Sequence, residues 1–260
     1  MKQVIRTLTL STTLLAILFF AFVLLTGYSL FKTVSTDQGL WFGEYRYVGQ
    51  ENSFSLLMPY CLNNTGHFDF FDVKLTTQIK HDNVTIVEST TYIPKLEGGS
   101  KRFGVHEVRI NLVDLADAGM VHLLFNKTEL NLARTLEFSY AHVYSFHLAA
   151  PKAPLDWYPP FHRFSLKVVR YDGRSTLLAR MYFENLSPMR IKGEIRLEVF
   201  DREGRLFGIG LSDLDLPSGV VYDEPLKIVV REPLTPEAIG KIDFYFETEN
   251  RIIGPVEVYG

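Results

Sequence analysis

The sequence predicts a mainly β protein in which one N-terminal transmembrane helix is followed by two antiparallel β-sandwich domains of the fibronectin or immunoglobulin type. Three observations predict this class: a long uncharged segment, runs of alternating apolar and polar residues after it, and a proline-rich segment midway. The 20 Phe and 13 Tyr of the 260-residue chain also favour strands. The predicted boundaries are 1–32 for the tail and anchor, 33–150 for the first sandwich, 151–162 for a linker and 163–260 for the second sandwich.

The anchor is an apolar run at residues 7–31 that contains no charged side chain. At about 1.5 Å per residue, a helix of this length measures roughly 37 Å, enough to cross a hydrocarbon core of about 30 Å. Lys2 and Arg6 precede the run, whereas the next dozen residues carry only Lys32 and Asp37. This bias predicts a single-pass cell-membrane protein with a cytoplasmic N-terminus and extracytoplasmic C-terminal domains. A cleaved signal peptide is the alternative, because it has the same order of basic and apolar segments.

The strands are predicted from alternation of period two. The longest example covers residues 135–148, where apolar side chains occupy the even positions, and a shorter one covers residues 242–247. Such patterns are typical of strands with one buried face. The pair Asp172-Gly173 and the segment 201–204 have the residues that tight hairpins prefer. Short strands separated by frequent turns predict antiparallel sandwiches.

Two segments interrupt the strands. Prolines crowd residues 151–162, where neither a helix nor a central strand can persist, so this segment is the predicted domain linker. Trp157 and Tyr158 within it indicate a linker packed against a neighbouring domain. Residues 113–134 have apolar side chains at helix-like spacing and are predicted as a helical insertion that closes the first sandwich, with a ligand lid as the alternative. Residues 234–240 predict only a single helical turn at the corresponding place.

The two predicted sandwiches also resemble each other in sequence. Residues 56–64 match residues 177–185 at an offset of 121, each being an apolar strand that ends in an asparagine turn. Residues 108–112 match residues 226–230 at an offset of 118. Because loop insertions produce small drifts of this kind, the pattern predicts a tandem repeat.

Charge and cysteine content exclude several classes of protein. Residues 33–150 carry 9 basic and 13 acidic side chains, and residues 151–260 carry 15 and 17. Neither segment has the excess of Lys and Arg that a nucleic-acid surface needs, so no nucleic-acid partner is predicted. Cys61 is the only cysteine, which rules out an intramolecular disulfide, and it is predicted as a small buried hydrophobic residue.

Four Asn-x-Ser/Thr sequons follow the anchor and would face a glycosylating compartment in the predicted orientation. The candidate glycosylation sites are Asn63, Asn83, Asn126 and Asn185. Pro188 directly follows the last sequon and should hinder its modification. Unmodified turn asparagines are the alternative.

One acidic group has the composition of a cation site. Asp213 and Asp215 lie two residues apart, on one face of an extended chain, with Asp223 and Glu224 nearby. Carboxylates of this kind bind hard cations, but a solvated sheet edge explains them as well. Common zinc, nucleotide and hydrolase motifs are missing from the sequence. We therefore predict no metal, no cofactor and no catalytic residues.

Histidines give two further candidates. His67, Asp69 and Asp72 alternate with phenylalanines, as a strand entering a core does, so a metal site is not predicted there. His142 and His147 fall on opposite faces of the predicted strand 135–148, which prevents them from sharing a ligand.

Four aromatic residues follow the anchor at a distance of about ten residues: Trp41, Phe42, Tyr45 and Tyr47. Such rings favour the depth of lipid headgroups, so they suggest an interfacial belt. Their distance from the anchor instead favours the first strand of the sandwich.

The second sandwich resembles the late-embryogenesis-abundant type 2 domain, also called the water-stress and hypersensitive-response domain. The similarity lies in the Asn-turn segment 182–191, the hairpin 200–210 and the Pro-Ser-Gly turn 216–219. The resemblance implies a fibronectin-like antiparallel sandwich with no catalytic residues. Members of this family are mostly non-enzymatic, and they often sit at membranes or act in stress protection.

These observations predict a non-enzymatic binding, scaffolding or accessory subunit, displayed by its anchor to a protein partner or a larger membrane assembly. The alternative is a membrane-tethered carrier of a lipid or small apolar ligand, which needs a cavity between the sheets of one sandwich. A third hypothesis is a metal-assisted hydrolase that uses Asp213, Asp215 or His67.

Overall fold

The computed structural model describes residues 2–35, 39–171, 176–231, 238–249 and 251–259. It is mainly β, with an N-terminal apolar helix and several antiparallel sheets, as the sequence predicts. In chain order the elements are α1 (Lys2–Ser35), β1 (Leu40–Phe42), β2 (Arg46–Gln50), β3 (Ser53–Asn63), β4 (Phe70–His81), β5 (Val84–Leu96), β6 (Lys101–Asn111), α2 (Leu112–Asp117), a 3₁₀ turn (Val121–Leu124), β7 (Thr128–Tyr140), β8 (Tyr144–Ala149), β9 (Ala153–Trp157), β10 (His162–Tyr171), β11 (Thr176–Glu184), β12 (Ile191–Asp201), β13 (Leu206–Leu216), β14 (Val221–Val230), β15 (Ile239–Glu247) and β16 (Ile252–Tyr259).

Helix α1 contains the whole uncharged segment, and its stretch Arg6–Ser29 is long and apolar enough to cross a membrane. Large side chains along it, such as Leu10, Phe20 and Leu24, are 74 %, 66 % and 72 % exposed. Because a stable protein does not expose an apolar surface of this size to water, α1 needs an apolar environment. A signal sequence has the same length and composition, so that alternative stays open.

The N-terminal half, residues 39–157, contains two antiparallel sheets. In the first sheet β3 pairs with β1 and β2 along one edge and with β6 along the other. In the second sheet β4 lies between β5 and β7, and β7 pairs in turn with β8 and β9. Alternate side chains point between the sheets, among them Leu75, Ile93 and Phe138.

The predicted strand 135–148 is wrong in one respect, because it is two strands. β7 ends at Tyr140 and β8 begins at Tyr144, after a turn in which Ala141 and His142 have φ angles of 52° and 57°. The predicted inward orientation of the even positions is confirmed along β7. The turn was not predicted because residues 141–143 include neither glycine nor proline, and because the strand that follows continues the same alternation of apolar residues.

The two segments that were predicted to interrupt the strands, 113–134 and 151–162, themselves contain strand residues. Within segment 113–134, α2 and the 3₁₀ turn form the first part, whereas β7 begins at Thr128. Within segment 151–162, strand β9 pairs with the outer edge of β7, and its Leu155 and Trp157 are buried. Proline is tolerated in β9 because an edge strand has no neighbour on its other side that needs the missing N–H.

The C-terminal half, residues 161–259, forms one seven-stranded antiparallel sheet in the order β10-β11-β14-β13-β12-β15-β16. β10 and β15 are far apart in this order, yet the rings of Phe164 and Phe244, one from each strand, lie 5.1 Å apart. The sheet therefore folds over its own core, in which Phe161, Phe183 and Phe246 are fully buried.

One of the predicted hairpins is observed here. β12 turns into β13 at residues 201–204, where Gly204 has a φ of 79° and donates its N–H to the carbonyl of Asp201 at 3.1 Å. The predicted hairpin at Asp172-Gly173 lies outside the described residues, as does most of the predicted helical turn at 234–240.

The strand pairing of the N-terminal half recurs in the C-terminal half. The set β2-β3-β6 corresponds to β10-β11-β14, and the set β5-β4-β7-β8 corresponds to β13-β12-β15-β16. The halves differ where β13 pairs with β14, which joins the two sets into a single sheet.

The two halves pack against each other through a continuous apolar core. Phe125, which follows the 3₁₀ turn of the N-terminal half, lies 5.7 to 5.8 Å from the rings of Phe161, Phe164 and Phe244 in the C-terminal half. A Cβ on Gly49 would lie 1.9 Å from the carbonyl oxygen of Pro188, so only glycine permits this approach of the two backbones.

Candidate functional site

The acidic residues considered as a cation site do not gather around one point, because two of them pair with arginines instead. Asp215 accepts two hydrogen bonds from Arg190, and Asp223 accepts two from Arg180, with most of these distances at 2.6 Å. The arginine partners hold the pKa of both carboxyl groups below its usual range. Asp213 faces solvent on β13. Among the residues that the structure describes, no group of three or more His, Cys, Asp or Glu side chains is placed to hold a metal ion.

His67, Asp69 and Asp72 likewise have separate roles. The backbone N–H of His67 donates to the hydroxyl of Ser29 in α1 at 2.8 Å. Asp69 forms an ion pair with Lys95 at 2.9 Å, and Asp72 accepts a hydrogen bond from a tyrosine of β5. These three residues therefore bind separate partners and do not converge on one point.

The two histidines of the predicted strand 135–148 are also apart. His142 lies in the β7–β8 turn, where its ring stacks on Phe71 with centroids 3.7 Å apart. His147 lies on β8 and contacts Glu137 at 2.9 Å.

The sequons differ in accessibility. Asn83 and Asn126 are exposed, whereas Asn63 and Asn185 are buried. The side-chain nitrogen of Asn185, the atom that glycosylation modifies, donates hydrogen bonds to three backbone carbonyl groups at 2.9 to 3.2 Å. Glycosylation of all four residues stays a prediction, and the folded chain presents only Asn83 and Asn126 openly.

The most specific arrangement of polar and aromatic groups lies where α1 meets the N-terminal half. Ser29 is buried there and accepts hydrogen bonds from the N–H of His67 at 2.8 Å and from the hydroxyl of Tyr140 at 2.7 Å. One face of the helix also contributes Phe22, whose ring lies 5.6 Å from that of Phe68. We call this contact the helix junction, and it consists of the last turns of α1 with loop 64–69 and with Tyr140 at the end of β7.

The junction lies at the depth of a membrane surface if α1 crosses a bilayer. The candidate span Arg6–Ser29 has 24 helical residues and measures about 36 Å, slightly more than a hydrocarbon core of about 30 Å. Ser29 is the last residue of this span, and Phe22 lies about two turns inside it. The end of the N-terminal half that contacts these residues would therefore rest on the headgroups.

A buried asparagine organises the loops of the junction. The Asn64 side chain donates to the carbonyls of Phe68 at 2.8 Å and Leu96 at 3.2 Å, and it accepts from the N–H of Gly66. The β5–β6 loop is attached as well, since Gly99 donates its N–H to the carbonyl of Gly66 at 3.0 Å. These bonds fix loop 64–69 and the β5–β6 loop relative to Ser29.

Asn185 forms the same arrangement in the C-terminal half. Its side chain donates to carbonyls four residues ahead and 31 to 32 residues ahead, and it accepts from the N–H of Ser187. The matched segments 56–64 and 177–185 already aligned Asn185 with Asn64. Sequence reasoning missed the role of these asparagines, although their alignment was the signal that could have revealed it.

The border of the junction carries exposed aromatic residues. Trp41 of β1, Cys61 of β3 and Phe103 of β6 lie side by side across the first sheet. Trp41 is 56 % exposed and Phe103 is 73 % exposed. Cys61 is only half-buried, so its prediction as a buried residue is wrong; it points outward from the sheet at the end of β3.

The aromatic residues that follow the anchor belong mainly to strands. Trp41 and Phe42 lie in β1 and Tyr47 lies in β2, so the interpretation of these three as strand residues is confirmed. Tyr45 lies in the connection between β1 and β2.

Comparisons with known proteins do not assign the chain to a family. No family model and no curated protein sequence matches the chain. A protein from Archaeoglobus fulgidus is similar over 45 % of this chain and 94 % of its own, with 12 % identity and a TM-score of 0.34. Red sea bream transglutaminase is similar over 88 % of this chain but 32 % of its own, with 14 % identity and a TM-score of 0.30.

A bacterial adhesin from Mobiluncus mulieris is similar over 79 % of this chain and 80 % of its own, with 9 % identity and a TM-score of 0.28. Similarities at this level establish neither a shared family nor a shared activity. None of the three proteins is described as a late-embryogenesis-abundant or water-stress protein, so that resemblance stays a prediction.

Proposed function

We propose that this protein is a membrane-anchored, extracytoplasmic scaffold of two tandem β-sandwich units that acts by binding and not by catalysis. The proposal rests on one observation, the unbroken series of contacts from α1 to the C-terminal half. The helix junction attaches α1 to the N-terminal half, and a shared apolar core attaches the N-terminal half to the C-terminal half, with no flexible joint in the described residues.

The connection between the halves is both apolar and polar. Besides the rings around Phe125, the Asn52 side chain donates to the carbonyl of Lys192 at 2.6 Å and accepts from its N–H at 2.9 Å. Lys192 also pairs with Glu51, and Arg251 pairs with Asp117 across the same contact. Such an interface resists bending, because a change of angle would break hydrogen bonds and separate packed rings at once.

The arrangement gives the protein a defined reach. β3 and β12 have 11 residues each and follow one another along the two halves. At about 3.3 Å per residue, they place the far hairpins at most roughly 70 Å from the helix junction. A rigid extension of this length suits a subunit that holds a partner at a fixed height above the membrane.

The recurrence of strand pairing and of the buried asparagine supports two units derived from one repeat. In each unit the asparagine lies at the end nearer the membrane. Asn64 faces α1, and the turn that begins at Asn185 faces the N-terminal half, because the N–H of Arg190 in that turn donates to the carbonyl of Gln50 at 3.1 Å. The late-embryogenesis-abundant type 2 resemblance agrees with such a non-enzymatic sandwich, and we include membership of that family in the proposal.

The carrier alternative receives less support. It requires an enclosed cavity between two sheets, whereas an apolar pocket of about 650 Å³ lies between α1 and β8, open to the outside. A second pocket, near Phe42 and Arg134, has only about 140 Å³. Neither matches the several hundred Å³ of enclosed volume that a carrier of this kind needs.

Spin-label distances test the scaffold directly. Full-length protein with Cys61→Ser receives labels at Thr85→Cys in the N-terminal half and Glu203→Cys at the far hairpin, both exposed. In lipid nanodiscs we expect one narrow distance distribution. A broad distribution would show a flexible joint between the halves and would overturn the scaffold.

Binding itself is tested by photo-crosslinking in native membranes. A photoreactive amino acid at exposed positions of the C-terminal half, such as Glu203 or Lys227, should yield a discrete product with another protein. The buried position Phe183 serves as the control and should yield none. Absence of any product across the exposed positions, or turnover of substrate by the purified protein, contradicts the proposal.

A further inference from the structure

The β5–β6 loop lies at the membrane end of the N-terminal half. Its Gly99 donates to the carbonyl of Gly66, and its Gly98 donates to the carboxylate of Asp69 at 2.9 Å. The neighbouring N–H of His67 donates to Ser29 of α1. The start of β6 is thus connected to the anchor through two consecutive hydrogen bonds, which fixes its height along α1.

The two residues that open β6 are basic. Lys101 and Arg102 are exposed, and neither forms an ion pair with a carboxylate of the described residues. Lys95 on the adjacent strand is different, because Asp69 and Glu97 pair with it at 2.9 and 3.5 Å. The loop carboxylates are therefore occupied, and two positive charges remain without protein partners.

An open depression adjoins these charges. It has a volume of about 590 Å³ and is bordered by the end of β5, the loop residues Glu97 and Ser100, and Lys101, Arg102 and Phe103 of β6. The Glu97 carboxylate pairs with Lys95 at 3.5 Å. Phe103 and Trp41 project from the same sheet beside it, with 73 % and 56 % of their surfaces exposed. Tryptophan is favoured at the boundary between acyl chains and headgroups, because its apolar ring and its polar N–H both find partners there. The ring of Phe103 is wholly apolar and favours the adjacent acyl chains.

We propose that Lys101 and Arg102, whose side chains leave β6 on opposite faces, each bind the phosphate headgroup of an anionic phospholipid of the leaflet in which α1 ends, with Trp41 and Phe103 seated among the acyl chains next to Lys101. The inference rests on the proposed membrane anchoring. An anionic lipid supplies the negatively charged partner that neither side chain has among the described residues. Arginine can donate two hydrogen bonds at once to the oxygens of a phosphate group. Its consequence is that the lipid fixes the orientation of the scaffold about the α1 axis.

Quenching of tryptophan fluorescence by brominated lipids tests this site. The chain contains two tryptophans, and Trp157 is buried at the contact between the halves, so quenching by lipid reports on Trp41. Full-length protein is placed in nanodiscs that contain either brominated phosphatidylglycerol or brominated phosphatidylcholine at equal mole fraction. We expect stronger quenching by the anionic lipid, corresponding to a local enrichment of about fivefold for each basic side chain.

The variant Lys101→Gln/Arg102→Gln should remove the difference between the two lipids while leaving quenching by phosphatidylcholine. The control Lys167→Gln/Lys227→Gln makes the same change of charge on exposed residues of the C-terminal half and should keep the difference. Trp41→Phe should abolish quenching and so identify the reporter.

Two results would overturn the proposal, and they are distinguishable. Equal quenching by both lipids in the unaltered protein means that the headgroup is not recognised, although the N-terminal half rests on the membrane. Absence of Trp41 quenching by either lipid means that this end of the protein does not touch the bilayer, which also contradicts the proposed anchoring.

Discussion

At the scale of single residues, the buried asparagines Asn64 and Asn185 join loops that the backbone alone would leave apart. Each side chain donates to one carbonyl in the turn that follows it and to another at the end of a distant strand, and each is completely buried. A buried amide of this kind stabilises because its removal leaves several carbonyls without partners in a dry environment.

We expect Asn64→Ala and Asn185→Ala to lower the free energy of unfolding by about 3 kcal/mol each, since each change leaves at least two buried groups unsatisfied. Chemical denaturation of the full-length protein in detergent measures the effect. Asn131→Ala, in a half-buried position on β7, is the matched control and should cost less than about 1 kcal/mol. Equal effects at all three positions would show that the asparagine bonds contribute little.

His106 makes the stability of the N-terminal half dependent on pH. It is fully buried on β6, with its Nδ1 2.7 Å from the hydroxyl of Thr91, and burial lowers the pKa of its ring from 6.5 to about 4. Between pH 4 and pH 6.5, the ring of His106 binds a proton in the unfolded chain but stays neutral in the folded chain. Stability therefore falls as the pH decreases through this window.

The loss attributable to His106 between pH 7 and pH 4 is roughly 3 kcal/mol. Denaturation midpoints measured at several pH values should show this slope in the unaltered protein and a weaker slope in His106→Gln. His147→Gln, which changes a largely exposed histidine, should keep the original slope. An unchanged slope in His106→Gln would mean that other groups carry the pH dependence.

At the scale of elements, the junction between α1 and the N-terminal half depends on one hydroxyl. Ser29→Val replaces the hydroxyl by two methyl groups and so removes the acceptor of two hydrogen bonds. We expect the backbone N–H groups of loop 64–69 to exchange with deuterium about tenfold faster, because a loss of about 1.4 kcal/mol is a factor of ten in local opening. Exchange in the C-terminal half should not change.

Ser11→Val is the matched control, since Ser11 lies on the same helix and bonds only within it, to the carbonyl of Thr7 at 2.9 Å. It should leave the exchange of loop 64–69 unaltered. If Ser29→Val behaves like this control, the junction is held by apolar contacts such as that between Phe22 and Phe68.

The elements themselves were predicted to different degrees. Period-two alternation located β7 and β15, and the turn residues at 201–204 located the β12–β13 hairpin, because these signals are local. The β7–β8 turn at Ala141 and His142 was missed because its residues adopt positive φ without the usual glycine or asparagine. The start of β7 was missed because its leucines continue the helix-like spacing of α2.

The helix junction could not be predicted from local pattern. The partners of Ser29 lie 38 and 111 residues away in the chain, so no short window contains the site. In the sequence, residues 7–31 look like a uniform apolar anchor. Thr26 and Ser29 are buried against the N-terminal half, but nothing in the pattern distinguishes them from their exposed neighbours.

At the scale of the whole molecule, the core of one half is completed by the other. Phe125 belongs in sequence to the N-terminal half, yet its ring packs among Phe161, Phe164 and Phe244. Trp157 strengthens the same contact, since its Nε1–H donates to the carbonyl of Leu123 at 2.6 Å and holds the 3₁₀ turn in place. Neither half therefore has a closed apolar surface at this contact, and the two should unfold together.

Phe125→Ala tests this cooperativity. Removing the ring leaves a cavity in the C-terminal core and should lower its stability by about 2 to 3 kcal/mol. We expect the single unfolding transition of the unaltered protein to separate into two when near-UV circular dichroism and hydrogen exchange are followed together. Phe103→Ala removes a ring that is 73 % exposed and should leave the transition single. A single transition in both variants would mean that polar bonds such as those of Asn52 suffice to couple the halves.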